Sequence, residues 1–230
     1  MRYALIGKDI LHSLSPDLYK ELISPDIQYD LIDVFAAKDL PRLEDLSKIY
    51  SRINITSPYK RSYFSSVLIQ GEGVKELGAI NTLCFSSQGW IGTNTDLFAV
   101  QEILSHLRLT HSDLNLLVLG SGVMAQVTLV AAKNLKLNCQ VLDRQAGLTS
   151  ESDLRPFYRP GKFNIVINAC SRAFSFNGAI HEDSLFWDYN YNFTPHQSNL
   201  PKKVSSYVDG QELLALQAKK AAAFWLLSKY

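Results

Sequence analysis

The sequence lacks the features that mark membrane-spanning, secreted and nucleic-acid-binding proteins. No run approaches the roughly 18 consecutive apolar residues of a membrane-spanning helix. The first residues do not show the apolar core and small-residue cleavage site of a secretory signal peptide. The formal net charge is only +1 over 230 residues, which favours neither a nucleic-acid binder nor a polybasic membrane protein. We therefore expect any anionic ligand to be held by local groups.

Cysteine is also scarce. The chain has three cysteines, an odd number, and each lies in or beside an apolar strand-like run: Cys84, Cys139 and Cys170. This pattern predicts free thiols in a reducing cytoplasm rather than a disulfide framework. The five histidines show no ligand spacing with cysteine or carboxylate residues, so no metal site is expected.

Strand-like and helical patterns alternate along the chain, which predicts an α/β fold. Hydrophobic residues make up 47% of the chain, enough for a sizeable core. The predicted strands cover 2–7, 29–34, 52–56, two runs within 78–96, 114–120, 138–143, 163–169 and 185–191. The first predicted helix begins at Ser15-Pro16, with Ser15 as N-cap. The other predicted helices cover 40–50, 97–108, 123–135 and 210–230.

The pattern restarts after residues 109–113, which indicates two lobes. We expect one domain over 1–96 and 209–230, and a second over 97–208 with a linker helix at 97–108. The last helix is expected to return to the first lobe.

A glycine-rich turn follows the apolar run "LNLLVLG". The pattern G-x-G-x-x-A is weak alone, but here it closes a buried strand and opens a helix, the context of a dinucleotide-binding turn. Glycines permit the tight turn and close approach of backbone to a pyrophosphate, and the helix N-terminus offers free N–H groups. The residues expected to bind the cofactor here are Gly120, Ser121, Gly122, Val123 and Ala125.

The next predicted strand ends in "VLDRQ". Asp143 is placed to accept hydrogen bonds from an adenosine ribose, which favours NAD. Arg144 beside it suits a 2′-phosphate, which favours NADP. The sequence is compatible with either cofactor.

Several stretches together resemble the shikimate dehydrogenase family. "HSLSP", "NITSPYK", "GAINTL", "GTNTD", "GSGVMA", "INAC", "DYNY" and "GQELLALQAKKAAAFW" occur in that family's order over nearly the whole chain. The resemblance implies a two-lobed α/β enzyme with a substrate-binding domain and a Rossmann-like domain. It implies reversible, nicotinamide-dependent reduction of 3-dehydroshikimate to shikimate in the pathway to the aromatic amino acids, with NADP as the family's cofactor.

The resemblance also implies the roles of individual residues. Lys60 and Asp96 match the family's catalytic pair, and a lysine beside a carboxylate can relay the proton of a secondary alcohol or stabilise its alkoxide. We expect both in turns at strand ends. Ser13 and Ser15 match the serines that bind the substrate carboxylate; Ser15 can also cap its helix, whereas Ser13 shows little structural reason to be there. The other matching substrate positions are Thr56, Asn81, Tyr191 and Gln217.

The chain departs from the family pattern mainly in the cofactor region. Val123 stands where many members have a further glycine, Asp143 replaces a usual asparagine, and Phe193 replaces a proline before Thr194-Pro195, after which the usual leucines are absent. A quinate/shikimate dehydrogenase paralogue, a non-catalytic sensor on the same scaffold and a general Rossmann-fold binding protein therefore remain as alternatives. A monomer or homodimer is expected.

Overall fold

The computed structural model describes residues 2–227. Its elements in chain order are β1 (Arg2–Gly7), α1 (Ser15–Leu22), β2 (Gln28–Asp33), α2 (Leu43–Leu46), β3 (Arg52–Ile55), β4 (Leu68–Ile69), α3 (Val74–Leu77), β5 (Thr82–Ser86), β6 (Gly89–Thr93), α4 (Thr95–Thr110), β7 (Leu114–Leu119), α5 (Val123–Asn134), β8 (Asn138–Leu142), β9 (Phe163–Asn168), β10 (Leu185–Asp188), α6 (Thr194–Asn199), β11 (Ser206–Val208) and α7 (Gln211–Leu227). The predicted α/β class is confirmed. Within residues 2–227 no helix is both long and apolar enough to span a bilayer.

The chain forms two compact units, which we call unit 1 (Met1–Phe98 and Ala215–Tyr230) and unit 2 (Ala99–Leu214). The helices α4 and α7 each run from one unit into the other.

Unit 1 contains a six-stranded mixed sheet in the order β2-β1-β3-β5-β6-β4. The strands β1, β2 and β3 are parallel, and β5 runs antiparallel to β3 and β6. Its core is aromatic: the Tyr19 ring lies 5.1 Å from that of Tyr29 and 5.0 Å from that of Trp225. Such ring pairs contribute about 0.5–1.5 kcal/mol each beyond the burial of their surface, so they fix the end of α7 against α1, and α1 against β2.

Unit 2 contains a five-stranded sheet in the order β11-β10-β9-β7-β8, with every paired strand parallel. Each residue of β7 is buried, as predicted for a strand covered on both faces. The core includes Leu117, Leu119, Phe176 and Phe186. In such sheets ligands bind beyond the carboxyl ends of the strands. The strands β10, β9 and β7 are adjacent and parallel, so their carboxyl ends lie at one edge of the sheet, and the glycine turn directly follows β7.

Two predicted elements are shorter than expected. The predicted helix 40–50 is helical only over Leu43–Leu46, because the Ser47 hydroxyl donates a hydrogen bond to the Glu44 carbonyl and competes with the helix. The predicted strand 185–191 ends at Asp188, where the Asn190 N–H turns to bind the Asp188 carboxylate at 3.0 Å. Three short elements, β4, α3 and β11, and the helix α6 were not predicted. The last three residues of the predicted helix 210–230 lie outside the described residues.

Candidate active site

Lys60 follows a tight turn after β3. The Tyr59 N–H donates to the Thr56 carbonyl at 2.9 Å, with Pro58 inside the turn, and the Lys60 carbonyl accepts the Ile80 N–H at 2.7 Å. The turn is therefore anchored on both sides, and the lysine side chain is directed inward: Lys60 is only 7% exposed. This burial shows that Lys60 is not a solvent-exposed loop lysine.

Asp96 lies in the first turn of α4 and not at a strand end, so that part of the prediction is wrong. The helix begins at Thr95, two residues earlier than predicted, because the Asn94 side-chain oxygen accepts the Leu97 N–H at 3.0 Å and caps it. The first turn of a helix carries partial positive charge, which favours a carboxylate there.

Lys60 and Asp96 form a buried ion pair. The Lys60 Nζ lies 2.8 Å from the Asp96 Oδ2, and the two side chains are 9% and 10% exposed. An ammonium group can donate three hydrogen bonds and a carboxylate can accept about four. The bond between Lys60 and Asp96 therefore does not use the full hydrogen-bonding capacity of either group. This juxtaposition of residues 36 positions apart is what the resemblance implied.

Asn81 and Gln217 meet at a residue that sequence reasoning missed, Thr95. The Asn81 Oδ1 accepts the Thr95 N–H at 2.7 Å, and the Asn81 Nδ2 donates to the Thr95 Oγ1 at 3.1 Å. The Thr95 hydroxyl donates to the Gln217 Oε1 at 3.3 Å. Because Thr95 precedes Asp96, this network also fixes the start of α4. The "NTD" motif was the available signal, since its threonine directly precedes Asp96, which was already singled out.

Ser13 and Ser15 contact each other at the start of α1. The Ser13 Oγ accepts the Ser15 N–H at 3.2 Å and donates to the Ser15 Oγ at 3.1 Å. The helix begins at Ser15 itself, and the residue before it, Leu14, makes no side-chain cap. The prediction of Ser15 as N-cap is therefore wrong, and so is the view that Ser13 has little structural role: its hydroxyl takes the free N–H at the helix start.

Thr56 and Tyr191 lie in different units. Thr56 is half-buried directly after β3, and its N–H donates to the Ile6 carbonyl at 2.9 Å. Tyr191 follows β10 in unit 2, and Arg172 donates to its carbonyl at 2.9 Å. Burial raises the pKa of Tyr191, and the Arg172 charge partly offsets this, so the hydroxyl keeps its proton and can donate to an anion.

The glycine turn has the shape that the sequence predicts. Gly120 has φ +107°, a conformation that favours glycine, and an added Cβ would lie 3.0 Å from the Cys170 Sγ. At Gly122 an added Cβ would meet nothing within 4 Å, so the space in front of the turn is open. Val123 is the first residue of α5, and the buried Ala125 lies one turn in. Open space before free helical N–H groups fits a pyrophosphate.

A short turn after β8 forms the region that is predicted to bind the ribose. The Asp143 Oδ1 accepts the Ala146 N–H at 3.0 Å, so one carboxylate oxygen shapes the turn and the other remains for a ligand. Arg144 is exposed, and its charge reaches the Cys170 thiol, whose pKa burial nevertheless raises to about 11. These residues fit a nucleotide whose ribose side meets both an acid and an arginine.

Comparison with known proteins supports the same interpretation. No family model matches the chain. In sequence it is 27% identical, over 267 aligned positions, to a shikimate dehydrogenase (NADP(+)) of Prochlorococcus marinus subsp. pastoris, covering 96% of this chain and 90% of the relative. It is also 27% identical to the shikimate dehydrogenase (NADP(+)) of Legionella pneumophila strain Lens, covering 97% of this chain and 92% of the relative.

Solved structures show the same fold. The shikimate dehydrogenase of Thermotoga maritima superimposes with a TM-score of 0.75 at 18% identity, covering 99% of this chain and 94% of that one. The Thermus thermophilus shikimate 5-dehydrogenase, solved in complex with NADP(H) and shikimate, gives a TM-score of 0.75 at 21% identity, covering 98% and 93%. With sequence and fold in agreement over nearly the whole chain, the similarity to the shikimate dehydrogenase family that the motifs indicated is confirmed.

Proposed function

We propose that this protein is an NADP-dependent shikimate dehydrogenase, which interconverts 3-dehydroshikimate and shikimate on the pathway to the aromatic amino acids. The observation that carries the proposal is the buried Lys60–Asp96 pair, with its Nζ to Oδ2 distance of 2.8 Å. The names of the relatives support the substrate and the cofactor. Pure binding of an acid or a nucleotide would not require this pair.

The chemistry requires one proton to move at the substrate oxygen. When bound, NADP supplies the hydride acceptor for the alcohol carbon, or in its reduced form the hydride donor for the ketone. In the reductive direction the Lys60 ammonium donates a proton to the carbonyl oxygen as that oxygen gains negative charge. Asp96 orients Lys60 by accepting a hydrogen bond from one of its N–H groups. Its negative charge also stabilises the ammonium form that Lys60 regains after the proton transfer.

The substrate would be held by groups that match its own polar atoms. Ser13 and Ser15, at the start of α1, suit its carboxylate because the helix N-terminus adds partial positive charge, and we assign Tyr191 to the same group. Asn81 and Gln217 suit ring hydroxyls, because an amide both donates and accepts. Thr56 is assigned to the same set.

The cofactor side would lie in unit 2. We propose that residues 97–208 bind NADP and that residues 1–96 with 209–230, together with Tyr191, bind the substrate. Gly120, Ser121, Gly122, Val123 and Ala125 would hold the pyrophosphate at the start of α5. Arg144 would meet the 2′-phosphate. Asp143 does not exclude NADP in this scheme, because one of its oxygens is bound to the Ala146 N–H.

Compartment and assembly belong to the same proposal. The three cysteines are free thiols, which supports a reducing compartment, and we propose the cytoplasm. A monomer or homodimer remains the expected assembly, to be measured by light scattering.

The test is a matrix of two substrates and two cofactors. Purified protein is given shikimate or quinate with NADP or NAD, and the near-ultraviolet absorbance of the reduced nicotinamide is followed. The proposal predicts the highest kcat/KM for shikimate with NADP. Preference for quinate with NAD would identify the paralogue instead. Binding of shikimate without reduction of either cofactor would identify a sensor.

A further inference from the structure

Unit 2 contains a buried charged cluster that the reaction does not use. We call it the Asp188 network; its members are Asn168, Asp188, Asn190, His196 and Tyr207. Asp188 and His196 are both 0% exposed, and the Asp188 Oδ2 lies 2.6 Å from the His196 Nδ1. A charge buried this deeply is retained only where it is paired and hydrogen-bonded.

The direction of the His196 bond follows from its other ring nitrogen. The Phe176 N–H donates to the His196 Nε2 at 2.8 Å, so that nitrogen is an acceptor. The ring proton then sits on Nδ1 and is donated to Asp188. A leucine at position 196 would offer neither bond.

The other oxygen of Asp188 holds two asparagines. Its Oδ1 accepts the Asn168 Nδ2 at 2.9 Å and both the N–H and the Nδ2 of Asn190 at 3.0 Å. The same asparagines hold Cys170 from both sides: the Asn168 Oδ1 accepts the Cys170 N–H, and the Asn190 Nδ2 donates to the Cys170 carbonyl, each at 3.2 Å. The backbone of Cys170 is thus placed by one carboxylate oxygen.

Cys170 forms the wall behind the glycine turn. Gly120 packs so closely that an added Cβ would lie 3.0 Å from the Cys170 Sγ and 3.4 Å from its backbone nitrogen. A movement of Cys170 must therefore move Gly120 or open a gap behind it.

A second connection runs from the same strand end to α5. The Thr128 hydroxyl donates to the Met124 carbonyl at 3.0 Å, so it accepts from the Tyr189 hydroxyl, 2.7 Å away. Tyr189 follows Asp188 directly, and its N–H donates to the Asn168 carbonyl at 3.0 Å. The residue after the buried aspartate therefore holds the helix that begins at the glycine turn.

We propose that Asp188 and His196 are positioning residues for the nucleotide: the pair holds Asn168 and Asn190, these hold Cys170, and Cys170 sets the place of the Gly120 turn. The inference rests on the proposed function, because it requires this turn to bind NADP. It predicts that loss of the His196 bonds weakens NADP binding and leaves shikimate recognition by unit 1 unchanged.

The experiment compares NADP affinity in full-length variants by calorimetric titration. H196L removes both bonds, whereas H196Q can still donate to Asp188 and accept from Phe176. We expect H196L to raise the Kd for NADP about tenfold, within the range for a lost buried hydrogen bond, and H196Q to stay within about threefold. At saturating NADP the KM for shikimate should stay within about twofold in both.

Two further variants keep the result interpretable. N190A removes the bond to the Cys170 carbonyl from a half-buried position, so it carries the test if H196L does not fold; we expect a severalfold higher Kd for NADP. H181L is the matched control, since His181 is also in unit 2 and its Nδ1 also accepts a backbone N–H, that of Asp183 at 3.2 Å, but outside the Asp188 network. Its Kd should not change.

The outcomes separate the two proposals. A folded H196L with a lower melting temperature and an NADP Kd within twofold of the parent means that the pair only stabilises the fold, and the inference is wrong. An unchanged Kd in N190A, with H196L unfolded, has the same meaning. If the parent protein binds no NADP, the proposed function fails and the inference fails with it.

Discussion

Replacing one member of the buried ion pair should cost stability as well as activity, whereas replacing both should cost activity alone. At 2.8 Å and an effective dielectric constant of about 20, the attraction between the two charges is about 6 kcal/mol before desolvation is subtracted. Removing one partner leaves the other charge buried, which typically costs about 3–5 kcal/mol. Because the side chains keep 9% and 10% exposure, we expect K60M and D96N each to lose about 3 kcal/mol. The double variant should lie within about 1 kcal/mol of the parent.

The assay combines urea unfolding with turnover. The chain has three tryptophans, and in a W187F background the fluorescence comes from Trp90 and Trp225, both in unit 1. Turnover should fall by about 10²–10⁴-fold in both single variants and in the double variant, as for loss of general acid–base catalysis. K48M is the control: Lys48 forms an exposed pair with Asp45 at 2.7 Å, and such pairs contribute little.

Recovery of activity together with stability in the double variant would mean that the pair is structural only. A K60M variant as stable as the parent would mean that Lys60 is not buried against a charge. Turnover of K60M within a few-fold of the parent would remove Lys60 from the mechanism.

Three other predictions follow from the local contacts. S13A should raise the KM for shikimate about tenfold with kcat nearly unchanged, since the hydroxyl that holds Ser15 is lost. S13T, which keeps a hydroxyl, should have a KM close to that of the parent. A KM of S13A equal to that of the parent would contradict the assignment of Ser13 to the carboxylate. D143N should keep the bond to the Ala146 N–H and raise the NADP:NAD ratio of kcat/KM by up to about fivefold, because a partly exposed charge contributes ~1 kcal/mol or less. An unchanged ratio would mean that Asp143 is away from the ribose. Burial raises the pKa of the Cys170 thiol to about 11. In a C139S variant this thiol should therefore react with a disulfide reagent about a hundredfold more slowly than an ordinary thiol at neutral pH, and its rate should rise as the pH approaches 11. Fast reaction at neutral pH would contradict its burial.

The buried strand and the turn that follows it were predictable because their signals are local. The continuous apolar run of β7 is itself the pattern of a strand covered on both faces, and glycine is needed at a residue with φ +107°. The pairing of Lys60 with Asp96 is a contact between distant residues, and motif order suggested it where periodicity could not.

The errors arose where side chains redirect the backbone. Ser47 and Asn190 each end an element through a hydrogen bond to a neighbouring residue, and sequence periodicity contains no such information. The Ser13 hydroxyl, not that of Ser15, accepts a backbone N–H at the start of α1, because the helix starts one residue earlier than predicted. Asp188 begins the "DYNY" stretch, but no role was predicted for it, since its significance depends on the distant residues that surround it.

The most direct test of the central claim is the transfer of deuterium. Shikimate carrying deuterium at the carbon that bears the oxidised hydroxyl is incubated with NADP and the protein, and the reduced cofactor is analysed by mass spectrometry. The account predicts that NADPH gains one deuterium with the parent and with K48M, and that the K60M/D96N variant forms it at a rate lower by about 10²–10⁴-fold. Reduced cofactor without the label, or labelled cofactor formed at the parental rate by K60M/D96N, would contradict it.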